Sequence, residues 1–190
     1  YWSPASLLLD AKVMGKLLLY SLTRPGFGLY NLAGKPENLA KLRTVRAVSA
    51  GGVVFRAVDG RLQLLICGRG EPRIWALPKG TPLPNEDLAI TAVREVGEET
   101  GVEVRVVGEA GTIQYWFVDS TSRARVFKQV KYFIMEPVGG DTSQHDWEFD
   151  EVAWVDLDEA LTRLTYQNER ELVRRAAEIY LKGRTDGSQP

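Results

Sequence analysis

From Val48 onward, short apolar runs rich in Val, Ile, Phe and Tyr recur between polar turns, the pattern of β-strands. VSAGGVVFRAV and RLQLLICGR flank Asp59-Gly60, a pair suited to a two-residue hairpin turn. RIWALP predicts a third short strand, broken by Pro78 and Gly80. VEVRVV, TIQYWFV and VFKQVKYFIM predict further strands, the last two joined by the polar DSTSRAR, and EVAWVDL predicts another. DEALTRL and QNERELVRRAAEIYL change to helical spacing, and the tail GRTDGSQP is expected to fray. Strands with one central helix and C-terminal helices predict an α+β domain.

The central helix lies within GTPLPNEDLAITAVREVGEETGV, residues 80–102. Asn85 is expected to cap it, Glu86 and Asp87 suit its positive first turn, and Gly101 suits the position just past its end. At about 100° per residue, Ala89, Val93 and Val96 gather on one side. Thr91, Glu95, Glu98 and Glu99 gather on the other, where the acids are expected to face outward together. Like charges three and four apart repel by a few tenths of a kcal/mol per pair, and the negative end of the helix adds a similar penalty. Arg94, four residues before Glu98, can hold one carboxylate. Gly97 inside the helix costs about 1 kcal/mol relative to alanine and hints at a loop passing close by. Either water screens the acids or something positive binds them.

The first 46 residues differ in character. Seven basic residues (Lys12, Lys16, Arg24, Lys35, Lys41, Arg43, Arg46) stand against Asp10 and Glu37. In SLLLDAKVMGKLLLY the apolar clusters are interrupted by Asp10, Lys12 and Lys16, so no run approaches the ~18 to 20 residues of a membrane span. A short amphipathic helix is expected there, docked on the main domain, a partner subunit or a membrane surface, with protein docking favoured. A homodimer through this extension is one such use. RPGFGLYNLAGKPEN reads as an irregular connection. Because the chain opens on Tyr1 rather than Met, a trimmed start and a targeting peptide stay open. The expected organisation is an extension over 1–46, a domain over 47–182 and a tail over 183–190.

Composition narrows the chemistry. Of 190 residues, 44% are hydrophobic and 26% charged, a globular balance able to bury a core. A net charge of −1 supplies no overall pull toward nucleic acid. The single cysteine, Cys67, excludes an internal disulfide and fits the reducing cytoplasm. The single histidine, His145, excludes a multi-histidine zinc site; it lies in the acidic DTSQHDWEFDE and reads as a loop residue rather than a catalyst.

Gly80, five residues, Glu86, seven residues, then Arg94-Glu95-Val96-Gly97-Glu98-Glu99-Thr100-Gly101-Val102 resembles the Nudix box at each of its nine defining positions across twenty-three residues. The resemblance implies a mixed β-sheet sandwiched between helices, an α/β/α arrangement with a loop-helix-loop motif, over roughly residues 47–182. It also implies hydrolysis of a nucleoside diphosphate linked to another moiety. On this resemblance Glu95, Glu98, Glu99 and the Gly80 carbonyl bind Mg²⁺ or Mn²⁺, while Arg94 and Glu86 orient them and Gly101 ends the motif. The residue chemistry agrees, since hard divalent cations take carboxylate, carbonyl and water oxygens and bridge acids to phosphates. Such a metal lowers the pKa of a bound water and shields the leaving phosphate. Glu98 is one candidate general base. Glu148 and Glu151 are others, because related Nudix enzymes often place an additional glutamate ahead of the corresponding strand.

Substrate contacts are expected from Arg69, Lys79, Lys128 and Lys131, with Lys79 directly before the motif glycine and so able to approach phosphates. Trp75, Tyr115, Tyr132 and Tyr166 are candidates to pack against a purine. AGGVVF, WALPKG, FKQVKYFIM and LTYQNERE together look like the diadenosine polyphosphate hydrolase branch, which favours dinucleoside polyphosphates. An oxidised-nucleotide pyrophosphatase of the MutT kind is the alternative, with ADP-ribose also open. A non-catalytic nucleotide sensor signalling through residues 1–46 is a reading of another class.

Overall fold

The computed structural model describes residues 42–186. The helix expected within SLLLDAKVMGKLLLY and the connection RPGFGLYNLAGKPEN lie outside those residues, as does the end of the tail. The described residues divide into two compact units, 48–114 with 129–186, and 42–47 with 115–128.

Strand β1 (Arg43–Val58) begins before the apolar run that predicted it and pairs antiparallel with β2 (Arg61–Arg69) in the register Phe55↔Leu64 to Val58↔Arg61. Asp59 and Gly60 join them with φ of 50° and 76°, the left-handed pair a tight hairpin turn requires. Strand β3 (Ile74–Ala76) pairs with the far half of β2, and β4 (Lys79–Gly80) pairs with β1 through Ala50↔Gly80 and Gly51↔Lys79. The predicted VEVRVV and TIQYWFV form one strand, β5 (Val102–Asp119), followed by β6 (Ala124–Gly140). Strand β7 (Glu151–Asp156) runs antiparallel along β2 from Gly68↔Glu151 to Gln63↔Asp156. The order is β3-β2-β1-β6-β5, with β4 added on β1 and β7 on β2.

Alternation along β1 decides what covers each face of this mixed sheet. Ala50 and Val54 pack with Ala92 and Val96 of helix α1 (Leu88–Thr100), together with Leu65, Val102, Val104, Phe133 and Met135. Phe55, on the opposite face, stacks on Tyr180 of helix α3 (Gln167–Asp186) at 5.2 Å, and α3 also buries Leu172, Val173, Ala176 and Ala177. Each fully buried Val or Leu is worth roughly 1.5–3 kcal/mol against exposure, so both helices are held chiefly by these stripes. The short helix α2 (Leu157–Arg163) links β7 to α3. This is the α/β/α sandwich the sequence motif implies. Among the described residues no helix is long and apolar enough to cross a membrane.

Within the smaller unit, Trp116 and Phe127 meet at 4.8 Å across the β5–β6 hairpin, and Arg125 lies 4.2 Å from the Trp116 ring. Asp119 closes the turn by accepting the N–H groups of Thr121 and Ser122 at 3.0 and 3.2 Å.

Candidate active site

Helix α1 starts later than the polar run suggested. Asn85 is not its cap: it takes φ 64° in the preceding turn, and Asp87 caps instead, accepting Ala89 N–H at 2.7 Å. Glu86 is thereby left to the loop. Its Oε2 accepts Leu83 N–H and the Thr91 hydroxyl, both at 2.9 Å, and its two oxygens take Arg94 Nη2 and Nε, each at 2.8 Å. The Arg94 hydrogen bond, opposed by partial burial and helped by the Leu83 and Thr91 donors, lowers the Glu86 carboxyl to about 2. The same guanidinium reaches Thr81 O at 3.2 Å, Glu95 Oε1 at 2.8 Å and Glu98 Oε2 at 3.6 Å. One arginine therefore ties the entry loop to two successive turns of the helix.

The acids do not face outward together. Glu95 and Glu99 are 9% and 4% exposed, because α1 buries the flank carrying Thr91, Ala92, Glu95, Val96, Glu99 and Thr100. Glu98 keeps a side chain that is 35% exposed. Glu99 accepts the main-chain N–H of Lys79 at 2.8 Å. Burial pushes its carboxyl well above the usual range; the Lys79 charge opposes this, and Glu148 and Glu95 add to it. Gly80 lies against Glu95 so closely that any Cβ there would collide with the carboxylate. Gly97 shows no such crowding: among the described residues its nearest outside atom is Val102 O at 4.0 Å from a Cβ position, and no loop of theirs passes close to it.

The tight approach is at Gly101 instead. This residue ends α1 at φ 71°, donates its N–H to Gly97 O at 2.9 Å, and sits where a Cβ would press into Asp141 O, the Gln144 carbonyl carbon and His145 N. Asp141 N–H bonds Gly101 O at 2.9 Å and Asp146 N–H bonds Glu98 O at 3.1 Å, seating the 141–150 loop on the end of the helix. That seat brings Glu148 into electrostatic reach of Glu99. Glu151 goes elsewhere: it opposes Gly68 in the sheet and pairs with Arg73 at 3.8 Å, alongside Asp150 at 3.5 Å. His145 is a loop residue, its Nδ1 lying 2.7 Å from Asp146 O.

The donor chemistry at α1 fits a hard divalent cation: carboxylates of Glu95, Glu98 and Glu99 beside the Gly80 main chain. Among the described residues, however, no three acids converge as a ready chelate, and Glu95 is engaged by Arg94.

The candidate substrate residues separate into groups. Trp75 is tied to the segment that carries Tyr166, since Trp75 N–H bonds the Thr165 hydroxyl and Thr165 N–H bonds Trp75 O, each at 3.0 Å. Arg163 lies 5.5 Å from the Trp75 ring, and Arg69 lies 5.7 Å from that of Phe149. Lys79 stands in the fields of both Glu99 and Glu169. Tyr132, expected to pack on a base, is 1% exposed and directs its hydroxyl to Glu169 at 3.4 Å, so it is a core residue. Lys131 pairs with Glu109 at 2.5 Å. Lys128 and Tyr115 belong to the smaller unit.

Glu169 is the buried acid that sequence reading overlooked. It is 4% exposed and accepts Leu77 N–H at 3.2 Å. Burial raises its carboxyl to about 7, with Lys79, the Leu77 and Tyr132 donors, and Arg69 opposing. A signal was present: Glu169 shares helical spacing with Leu172, Val173, Ala176 and Tyr180, an acid at a core position.

The NUDIX domain family model matches residues 45–176. A putative mutator protein MutT4 of Mycobacterium tuberculosis is 41% identical over 153 residues, 77% of this chain and 61% of that protein. An 8-oxo-(d)GTP phosphatase of Mycolicibacterium smegmatis is 30% identical over 141 residues, 70% of this chain and 41% of that protein. The chain thus spans between about two-fifths and three-fifths of the length of these curated relatives. A crystal structure of a C. elegans Ap4A hydrolase binary complex superposes with a TM-score of 0.60 at 25% identity, covering 72% of this chain and 98% of that one.

Proposed function

The chain belongs to the NUDIX domain family, and from that premise we propose that it hydrolyses a diphosphate linkage in a nucleoside diphosphate joined to a second moiety, using Mg²⁺ or Mn²⁺ at the face of α1. The observation that carries this reading is the buried pair at the edge of the Gly80–Glu86 loop, Glu95 held by Arg94 and Glu99 held by the Lys79 N–H. Burial makes Glu99 resist ionising, and a cation beside it relieves that resistance. Bound there, the metal supplies charge neutralisation for phosphate oxygens and a more acidic water.

The chain's own residues have separable roles. Glu95, Glu98, Glu99 and the Gly80 carbonyl hold the cation, and Arg94, itself gripped by Glu86, keeps the helix and loop in register. Glu148 takes a proton from the attacking water, supported by its reach to Glu99 from a loop seated on the helix end. Glu98, the more exposed helix acid, is the other base of this reading. Glu151 serves the Arg73 pair. Lys79 and Arg69 meet phosphate charge, and Trp75 with Tyr166 offers an aromatic edge to a base. We place the catalytic domain at 47–182.

For the substrate, an oxidised purine nucleoside triphosphate is favoured by the names and identities of the two mycobacterial relatives. A dinucleoside polyphosphate is the second reading, favoured by the superposition on an Ap4A hydrolase. Incubating the chain with 8-oxo-dGTP, diadenosine tetraphosphate and ADP-ribose, each with Mg²⁺ or Mn²⁺, and separating products by ion exchange tests both. Inorganic pyrophosphate from the first nucleotide supports the leading reading, and ATP with AMP from the second supports the alternative. Binding without turnover of any of them would replace both with a nucleotide sensor.

A further inference from the structure

The stretch from Leu77 to Gly80 is fastened at every residue. Leu77 N–H is held by Glu169, Pro78 O accepts Gly52 N–H at 3.1 Å, and Lys79 N–H is held by Glu99. Gly80 pairs with Ala50 and lies against Glu95. The two carboxyl grips come from helices on opposite faces of β1, Glu99 from α1 and Glu169 from α3.

Leu77 is fully buried, so its N–H has no water to turn to if Glu169 is removed. A neutral acceptor would serve that bond at less cost, since burying an ionisable carboxyl is expensive. The groups facing it include Lys79, Arg69, the Tyr132 hydroxyl and the buried Cys67 thiol, and Lys79 is also the residue whose main chain Glu99 holds. The acid therefore stands opposite the charge and the backbone that border Gly80.

We propose that Glu169 is a positioning residue for the metal-binding face, gripping the main chain at Leu77 from α3 and thereby setting Lys79 and Gly80 against the glutamates of α1. This rests on reading α1 as a metal cradle. Glutamine at this position keeps an oxygen for Leu77 N–H and offers an N–H to the Tyr132 oxygen. Leucine removes both.

The test is an Mn²⁺ titration of the full chain followed by electron paramagnetic resonance, for the unaltered protein, Glu169→Gln and Glu169→Leu. Glu169→Leu should weaken Mn²⁺ binding about 10- to 100-fold, the usual effect of losing a group that supports metal ligands. Glu169→Gln should restore most of it. The Mg²⁺ concentration for half-maximal turnover should rise in Glu169→Leu more than kcat at saturating Mg²⁺ falls. A merely destabilising change leaves the metal dependence in place as long as circular dichroism shows the metal-free variant to be folded, since only an unfolded fraction couples refolding to metal binding. Unaltered Mn²⁺ affinity in a folded Glu169→Leu protein overturns the proposal while sparing the metal reading. No Mn²⁺ binding by the unaltered chain removes the metal reading itself. If Glu169→Leu does not fold, hydrogen exchange at the Leu77 amide of the unaltered chain decides: coupling requires greater protection with Mg²⁺, and unchanged protection overturns it.

Discussion

Arg94 holds Glu86 through two hydrogen bonds of 2.8 Å, joining the loop before α1 to the helix eight residues later. A planar fork does this and a point charge does not. Arg94→Ala is expected to cost roughly 2 kcal/mol in urea denaturation, because it strips charged hydrogen bonds from two largely buried carboxylates. Arg94→Lys should recover only part of the loss.

The lowered Glu86 carboxyl sets an acid limit. Between its folded value of about 2 and its ordinary 4.5 the folded state binds fewer protons than the unfolded one. The contribution is therefore fully present above 4.5 and disappears as pH falls through about 2. Denaturation midpoints between pH 5 and 2 should fall less steeply in Glu86→Gln than in the unaltered chain.

Glu169 works in the opposite direction. Its folded value of about 7 exceeds the ordinary 4.5, so the folded state binds the extra proton between them. Stability from this group is complete below 4.5 and is lost as pH rises through about 7, on the order of 3 kcal/mol in all. Urea denaturation at pH 5 and pH 8 should differ less in Glu169→Gln than in the unaltered chain.

Glu99→Gln separates stability from function. It removes a buried charge while leaving an oxygen for Lys79 N–H, so with chelator present at pH 8 the melting temperature should rise. Calorimetric titration should at the same time show weaker Mn²⁺ binding. A variant that binds Mn²⁺ as before would remove Glu99 from the cradle.

Gly101→Ala forces a side chain into a left-handed backbone and into the 141–145 main chain. The backbone alone is expected to cost about 1–2 kcal/mol. Because the same contact seats the loop bearing Glu148, kcat should drop further than the lost stability explains, as steady-state kinetics well below the melting temperature would show.

The family, the hairpin at Asp59-Gly60 and the identity of α1 as the motif helix were legible in the chain, because each depends on residues close in sequence. The alternative caps were less so: Asn85 and Asp87 are both good caps, and the choice fell to Asp87 once Asn85 took a left-handed turn and Glu86 was claimed by Arg94. The outward placement of the acids failed for a related reason. Helical periodicity says which residues share a side but not how deep a helix sinks, and Glu95 and Glu99 lie at the margin covered by the Lys79–Gly80 strand.

By itself, then, the sequence determined the strands, the helix and the spacing of the carboxylates, since local geometry depends on neighbours a few positions away. Only the tertiary structure decided that Glu148 faces Glu99 while Glu151 turns to Arg73, that Trp75 meets Thr165, and that Tyr132 is core. It also decided that Glu169 reaches Leu77 across 92 positions of chain. Those outcomes depend on which strands pair and which helices cover them, a long-range packing of two layers onto one sheet that no local pattern encodes.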